Sequence, residues 1–159
     1  MAIKRGFKDF EEHDNFLISQ WNKVVHKKDT VWILGDISME KSSPYVLLDK
    51  LNGIKNVVAG NHDMPQHIPE LLKHVNKVCG MFKYRQYFFT HAPIHESELN
   101  YRVIGNIHGH LHEKNIFTKF EPDGVQEYDP RYINVSCEQP YINYTPQLFT
   151  DLIKQNGNL

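Results

Sequence analysis

The sequence predicts an α/β fold, with parallel strand–helix units first and a strand-rich second half. Two short apolar runs, 31–34 and 56–59, each end in glycine followed by polar residues, "LGD" and "AGNHD". Continuous apolar runs of this length suit strands covered on both faces. Helix-like stretches at 10–28, 43–53 and 69–75 flank them, as parallel strands require. From residue 75 onward apolar segments follow one another across short polar breaks, which reads as consecutive strands. At 159 residues the chain is long enough for one core and too short for two. No repeat or linker-like shift divides it, so one domain spans 1–159.

The first helix, 10–28, rests on Phe10, Phe16, Leu17, Trp21, Val24 and Val25, which recur three and four apart and predict a face turned to the core. "TVWILGD" is the first strand, apolar throughout, and it expects neighbours on both edges. "SSPYVLLDKLNG" reads as a short helix with Ser43 as N-cap, Pro44 at the first helical position and Gly53 closing it. The second buried strand, 56–59, runs into Gly60-Asn61-His62-Asp63, and Pro69 opens a further short helix over 69–75. "VNKVCGMFKY" and "QYFFTHAP" read as a hairpin pair, and "YRVIGNIHGHLH" as a strand entering a run of histidines. Residues 115–130 read as a connecting loop or weak hairpin, "RYINVSCE" as a late strand, and "TPQLFTDLIKQN" as a terminal helix or strand–turn.

Composition excludes several classes. A hydrophobic content of 40% with 23% charged residues is that of an ordinary globular domain. A formal charge of -1 and a pI near 6.8 give no reason to expect a sequence-independent polyanion binder. Cys79 and Cys137 are isolated, so neither a thiolate zinc site nor a disulfide framework is indicated. No apolar run approaches ~18 residues, and "MAIKRGFKDF" lacks a signal-peptide core. No membrane partner is expected, and the default compartment is the reducing cytoplasm, the host's if the chain is phage-encoded. Ten histidines are the outlying number, equal to more than half the count of Lys and Arg, so their placement carries the functional argument.

Asp36, the Asn61-His62-Asp63 triplet, His91 and the His110/His112 pair each fall just past the carboxyl end of an expected strand. In open α/β sheets ligands bind at that edge, where neighbouring loops converge. If the strands lie side by side, these residues meet. Carboxylate, amide oxygen and neutral imidazole together form a mixed O/N donor set for a divalent ion such as Mn, Fe, Zn or Ni. "NIHGHLHEK" sets His108, His110 and His112 at alternate positions, which on a strand would share one face. Alone, such a triplet reads equally as a solvated ladder, Gly35-Asp36 as a turn, and His91 before Ala92-Pro93 as a loop histidine. Four such ends in this order read as a metal site. His13, His26, His67, His74 and His95 have no such context and read as surface or structural.

"GD" at 35–36, "GNHD" at 60–63, "THAP" at 90–93 and "GHLH" at 109–112 resemble the calcineurin-like metallophosphoesterases. The likeness to their small single-domain bacterial and phage members covers nearly the whole chain, through "DNFLISQWNKVVHKKDTVWILGD", "LNGIKNVVAGNHD" and "NVSCEQPYINYTP". The resemblance implies two mixed β-sheets packed as a sandwich flanked by helices, with a dinuclear centre at one edge. It implies that Asp36 bridges both metals, that Asn61, His91 and His110 complete one shell, and that His112 serves the other. His62 would protonate the leaving oxygen, with Asp63 holding its ring, and His108 has no implied role. The implied chemistry is attack of metal-bound hydroxide on a phosphomonoester or phosphodiester, with a nucleotide or nucleic-acid end among the substrates.

The family begins with D-x-H at the end of its first strand, and this chain has no such segment before Asp36: Asp9 is followed by Phe10-Glu11 and Asp14 by Asn15-Phe16. The expectation is that this strand, with two ligands of the His112 metal, belongs upstream of Met1, leaving one metal here and an open strand edge for self-association. Two other functions fit the same residues. One is a non-catalytic or weakly active metal or nucleotide-phosphate binding module that has lost the first metal shell; the other is a structural subunit pairing through that edge. Arg5, Arg85 and Arg102 are expected to be ordinary surface arginines, with phosphate clamping as the alternative.

Overall fold

The structure is a computed structural model that describes residues 2–118 and 127–156. Helix α1 (Phe10–Val24) begins where Asp9 caps it: the Asp9 carboxylate accepts the Glu12 N–H at 2.8 Å, and the Glu12 carboxylate accepts the Lys8 N–H at 2.6 Å. Such reciprocal capping satisfies donors that the first turn would otherwise orphan. The helix stops at Val24 rather than residue 28, because Val25 turns extended. Its inward face also differs from the periodicity. Phe10 and Val24 are 70% and 45% exposed, whereas His13 is buried. The helix is turned by Trp21, whose indole N–H donates to the Asn52 carbonyl at 2.9 Å, and by Phe16, which packs against Phe7 and Tyr144.

Strands β1 (Thr30–Ile33), β2 (Ile54–Val58) and β3 (Lys77–Cys79) form a parallel sheet in that order. Strands β4 (Phe82–Tyr84), β5 (Tyr87–Thr90), β6 (Gly105–His108) and β7 (Tyr132–Asn134) form a second sheet, antiparallel between β4 and β5 and parallel beyond. Only this second sheet is mixed, where two mixed sheets were expected. The expected hairpin is also divided differently. "VNKVCGMFKY" breaks at Gly80-Met81, so that β3 joins the first sheet and β4 crosses to the second, where it forms the hairpin with β5. Apolar patterning marks both halves as strands but carries no signal for the sheet each joins.

The two sheets face each other across a shared core. Val58 from the first sheet packs with Tyr87, Phe89, Ile107 and Ile133 from the second, and Trp32 stacks on Phe82 with ring centroids 3.8 Å apart. Helix α3 (Phe149–Gln155) adds Leu152 and Ile153, so the carboxyl-terminal segment is a helix rather than a strand–turn. On its other face the first sheet buries Val57 against Tyr45 and Leu48 of the 3₁₀ segment Ser43–Lys50 and Leu71 of α2 (Ile68–Leu71). Strand alternation sends Val57 and Val58 to opposite faces, and both are buried. That explains the continuous apolar reading of this run. Ser42, not Ser43, precedes the 3₁₀ segment, and it makes no side-chain capping bond.

The expected 69–75 helix is shortened to α2, entered through the 3₁₀ turn Pro65–His67. Phe117 bridges Tyr128 in antiparallel fashion, the weak-hairpin form of the expected connection, of which 119–126 lie outside the described residues. β1 is covered on both faces, by Trp32 in one core and Ile33 in the other. Among the described residues, however, it pairs only with β2. No helix of the described residues is long and apolar enough to cross a membrane.

Candidate metal centre

The two sheets are joined at their carboxyl ends by one side chain. His91, just past β5, places Nδ1 2.7 Å from the carbonyl of Leu34, just past β1. A carbonyl can only accept, so this contact puts the proton on Nδ1 and, in the neutral ring, the lone pair on Nε2. Around that nitrogen stand Asn61 Oδ1 at 2.9 Å, His110 Nδ1 at 3.0 Å and Asp36 Oδ2 at 3.2 Å. The ligand atoms of Asp36, His91 and His110 all lie within 4.8 Å of one another. Four residues from four strand ends therefore meet, as the sequence expected.

The spacing of these donors is itself informative. Ligands held ~2.1 Å from a cation are about 3.0 Å apart along an octahedral edge and about 3.4 Å apart along a tetrahedral one. The 2.9–3.2 Å contacts to His91 Nε2 fall in the range of neighbouring ligand atoms around one cation. Lone pairs brought this close repel one another unless a proton or a cation lies among them. The residues present, one carboxylate, one amide oxygen and two imidazoles, form a mixed O/N donor set that fits a divalent ion of the Mn, Fe, Zn or Ni class.

Close approach of the loops depends on glycine. Gly35 has φ +84°, and a Cβ there would sit 2.5 Å from the Gly60 nitrogen and 2.7 Å from His91 Nδ1. A Cβ on Gly60 would sit 2.3 Å from Asp36 Oδ1 and 2.5 Å from the Asp36 nitrogen. Asp36 and His110 themselves hold φ of 53° and 67°. Strain of this kind persists only where surrounding contacts over-determine the backbone.

Asp63 supplies much of that determination, and here the structure corrects the expectation. Its buried carboxylate does not hold the His62 ring. Oδ2 accepts the backbone N–H groups of Asp36 and Gly60, both at 2.8 Å, and Oδ1 accepts that of Ile37 at 3.0 Å. Asp63 is a clasp between the loops that follow β1 and β2. The partner of His62 is Glu40, whose Oε1 lies 3.1 Å from Nδ1, while the His62 backbone N–H donates to Asp36 Oδ1 at 2.9 Å. Glu40 was not identified from the sequence, because it belongs to a loop whose course no pattern reveals.

His112 stands outside the four-donor cluster. Its Nδ1 lies 2.8 Å from Glu138 Oε1, which also accepts from Arg5 Nε at 2.9 Å and Nη2 at 2.5 Å. Burial works against the Glu138 charge, yet the bonds from His112 and Arg5 hold its carboxyl down to about 2. Arg5 is thus a largely buried partner in a network and not a surface arginine. Arg85 is exposed and lies over the rings of Tyr84 and Phe149, and Arg102 is exposed in a surface hollow beside Tyr101.

The three alternate histidines do not share a strand face. β6 ends at His108, whose ring is fully buried, and the positive φ of His110 and His112 redirects both. Burial pushes the His108 imidazole below its ordinary value; its Nδ1 donates to the Gly109 carbonyl at 2.9 Å, and its Nε2 has no partner among the described residues.

No protein-family model matches the chain. It is 28% identical over 156 residues to the uncharacterized protein MJ1445 of Methanocaldococcus jannaschii, covering 94% of this chain and 78% of that one. It is 42% identical over 69 residues to the gene 66 protein of Mycobacterium phage L5 and 42% over 60 residues to that of phage D29. Those segments span 33% and 29% of the phage proteins, so they compare parts only. Among solved structures, a protein of unknown function, AQ665 from Aquifex aeolicus, superposes with a TM-score of 0.64 at 20% identity, over 92% of this chain and 87% of that one. This likeness concerns the fold alone.

Proposed function

We propose that the chain is a metal-dependent phosphoesterase of the calcineurin-like kind, hydrolysing a phosphomonoester or phosphodiester. On this reading the two facing sheets are the metallophosphoesterase sandwich. The observation that carries it is the meeting of Asp36, Asn61, His91 and His110 around one point, beside an imidazole, His62, whose ring rests on a carboxylate.

Asp36, Asn61, His91 and His110 would hold the cation, of the Mn, Fe, Zn or Ni class. When bound, that ion supplies Lewis-acid stabilisation of phosphate oxygens and lowers the pKa of water at the site. One carboxylate and three neutral donors leave a divalent ion with net positive charge, which favours an anionic phosphoryl group. Glu40 accepts from Nδ1 of His62, so to act as an acid the ring must carry a second proton, on Nε2, and that is the proton delivered. As the bond from phosphorus to the water oxygen forms, that water gives up a proton to solvent, the bond to the leaving oxygen breaks, and His62 gives the leaving oxygen its proton. His62 then regains a proton from solvent. Nucleotides and nucleic-acid ends present the phosphoryl group this chemistry takes.

A second reading, a metal or nucleotide-phosphate binding module without turnover, draws support from His112, which is engaged by Glu138 and stands apart from the four donors. Hydrolysis of an aryl phosphodiester and an aryl phosphomonoester with added manganese separates the two. The phosphoesterase reading expects metal-dependent turnover, slowed about 10²–10⁴-fold by His62→Ala without loss of bound metal. That loss should shrink for substrates with good leaving groups. Binding of manganese and inorganic phosphate with no turnover of either ester favours the binding module.

We place the protein in the cytoplasm, where the free thiols of Cys79 and Cys137 are kept reduced. Self-association belongs to the same proposal, because β1 has a single paired edge among the described residues.

A further inference from the structure

We infer that Glu138 is a positioning residue, fixing His112 with its proton on Nδ1 and its lone pair on Nε2, and that Arg5 locks Glu138 in place. The inference rests on the reading, implied by the resemblance, of His112 as a ligand of a second cation apart from the four-donor position, and it adds the residues that orient it.

The backbone at His112 is pinned first. Its carbonyl accepts Asn134 Nδ2 at 2.9 Å and Gln139 Nε2 at 2.8 Å, from two buried side chains. Rotation of the ring is the freedom left. Glu138 Oε1, 2.8 Å from Nδ1, removes it, and Nε2 of the half-exposed ring has no protein partner among the described residues. A ligating imidazole commonly gives its other N–H to a carboxylate, which sets the tautomer and makes the free nitrogen a better donor.

Glu138, four residues past β7, is in turn fixed from the amino-terminal turn. Arg5 brings two N–H groups onto the same Oε1 oxygen, and the Cys137 thiol meets Oε2 at 3.2 Å. The guanidinium is itself oriented, because Nη1 lies 3.0 Å from His13 Nε2. Arginine can only donate, so that nitrogen of His13 accepts, and its Nδ1 donates to Asp14 at 3.1 Å. Both Arg5 and Glu138 side chains are more than four-fifths buried, at 17% and 15% exposure. This explains a buried histidine on α1 and a buried arginine in the amino-terminal turn, neither of which the four-donor cluster uses.

The test uses the full chain and two readouts that involve no turnover. Long-range nitrogen–proton NMR of the cation-free protein should show His112 as the Nδ1–H tautomer. Calorimetric titration with manganese should show a binding step weakened by His112→Ala. Glu138→Ala should switch the ring to the Nε2–H form that a free histidine side chain prefers, and weaken the same step by about 10–100-fold. Glu138→Gln, whose amide oxygen still accepts, should keep the tautomer and most of the affinity, and Arg5→Ala should fall between.

A wild-type Nε2–H ring overturns the inference, and so does a manganese affinity indifferent to His112→Ala or to Glu138→Ala. Should Glu138→Ala not fold, the wild-type tautomer and the Glu138→Gln affinity decide it. A chain that passes both tests but hydrolyses no phosphoester sinks the phosphoesterase reading and leaves this one standing.

Discussion

At the scale of single residues, the candidate centre is held by groups that never face the cation. Gly60 is one: a methyl there would lie 2.5 Å from the Asp36 nitrogen, a backbone atom that cannot yield cheaply. Gly60→Ala should therefore displace Asp36 and abolish manganese binding while leaving a folded chain, a result that calorimetry and circular dichroism check together. Asp63 is another. Asp63→Asn turns an amide N–H₂ toward donors that now meet a carboxylate, and stranding a buried donor costs about 1–3 kcal/mol. The expected outcome is a drop of that size or more in urea-unfolding stability, with loss of metal, whereas His62→Ala should change neither. The ligand residues were legible in the sequence because their types and their places after strands are local features. The role of Asp63 was not, because its partners are the backbone N–H groups of Asp36 and Ile37, 27 and 26 positions away, and of Gly60, three positions away.

At the scale of elements, β1, β2, β5 and β6 deliver the four donors, and their existence was legible from apolar runs that end in glycine or polar residues. Which sheet each strand joins was not, since the break at Gly80-Met81 looks like any short turn. The face of α1 was misjudged for a related reason. Periodicity counts apolar side chains, but Phe10 stands in the first turn beside the Asp9 cap and faces outward, while His13 is drawn inward by Arg5. The half-paired β1 carries a prediction of its own. Analytical ultracentrifugation over a tenfold concentration range should show the mass rising above that of one chain, and a constant monomer mass at every concentration contradicts edge-to-edge association.

At the scale of the whole molecule, the charged clasps set the acid limit of stability. Asp129 is held below its usual range by hydrogen bonds from Arg131, which also reaches Glu96, and Glu138 is held at about 2 against an ordinary 4.5. Both carboxyls are depressed in the folded chain, so the stability they contribute is complete above the unfolded value. It is lost as pH falls from about 4.5 toward about 2. Thermal midpoints should fall across that window, and Asp129→Asn and Glu138→Gln should each start lower and fall less steeply.

The central claim is that four strand ends of one chain enclose a single cation position. Anomalous diffraction from crystals grown with manganese tests it most directly. The account predicts a peak about 2.0–2.3 Å from Asp36 Oδ2, Asn61 Oδ1, His91 Nε2 and His110 Nδ1. Crystals saturated with manganese that show no peak among those four atoms, or place the ion on other residues, contradict it.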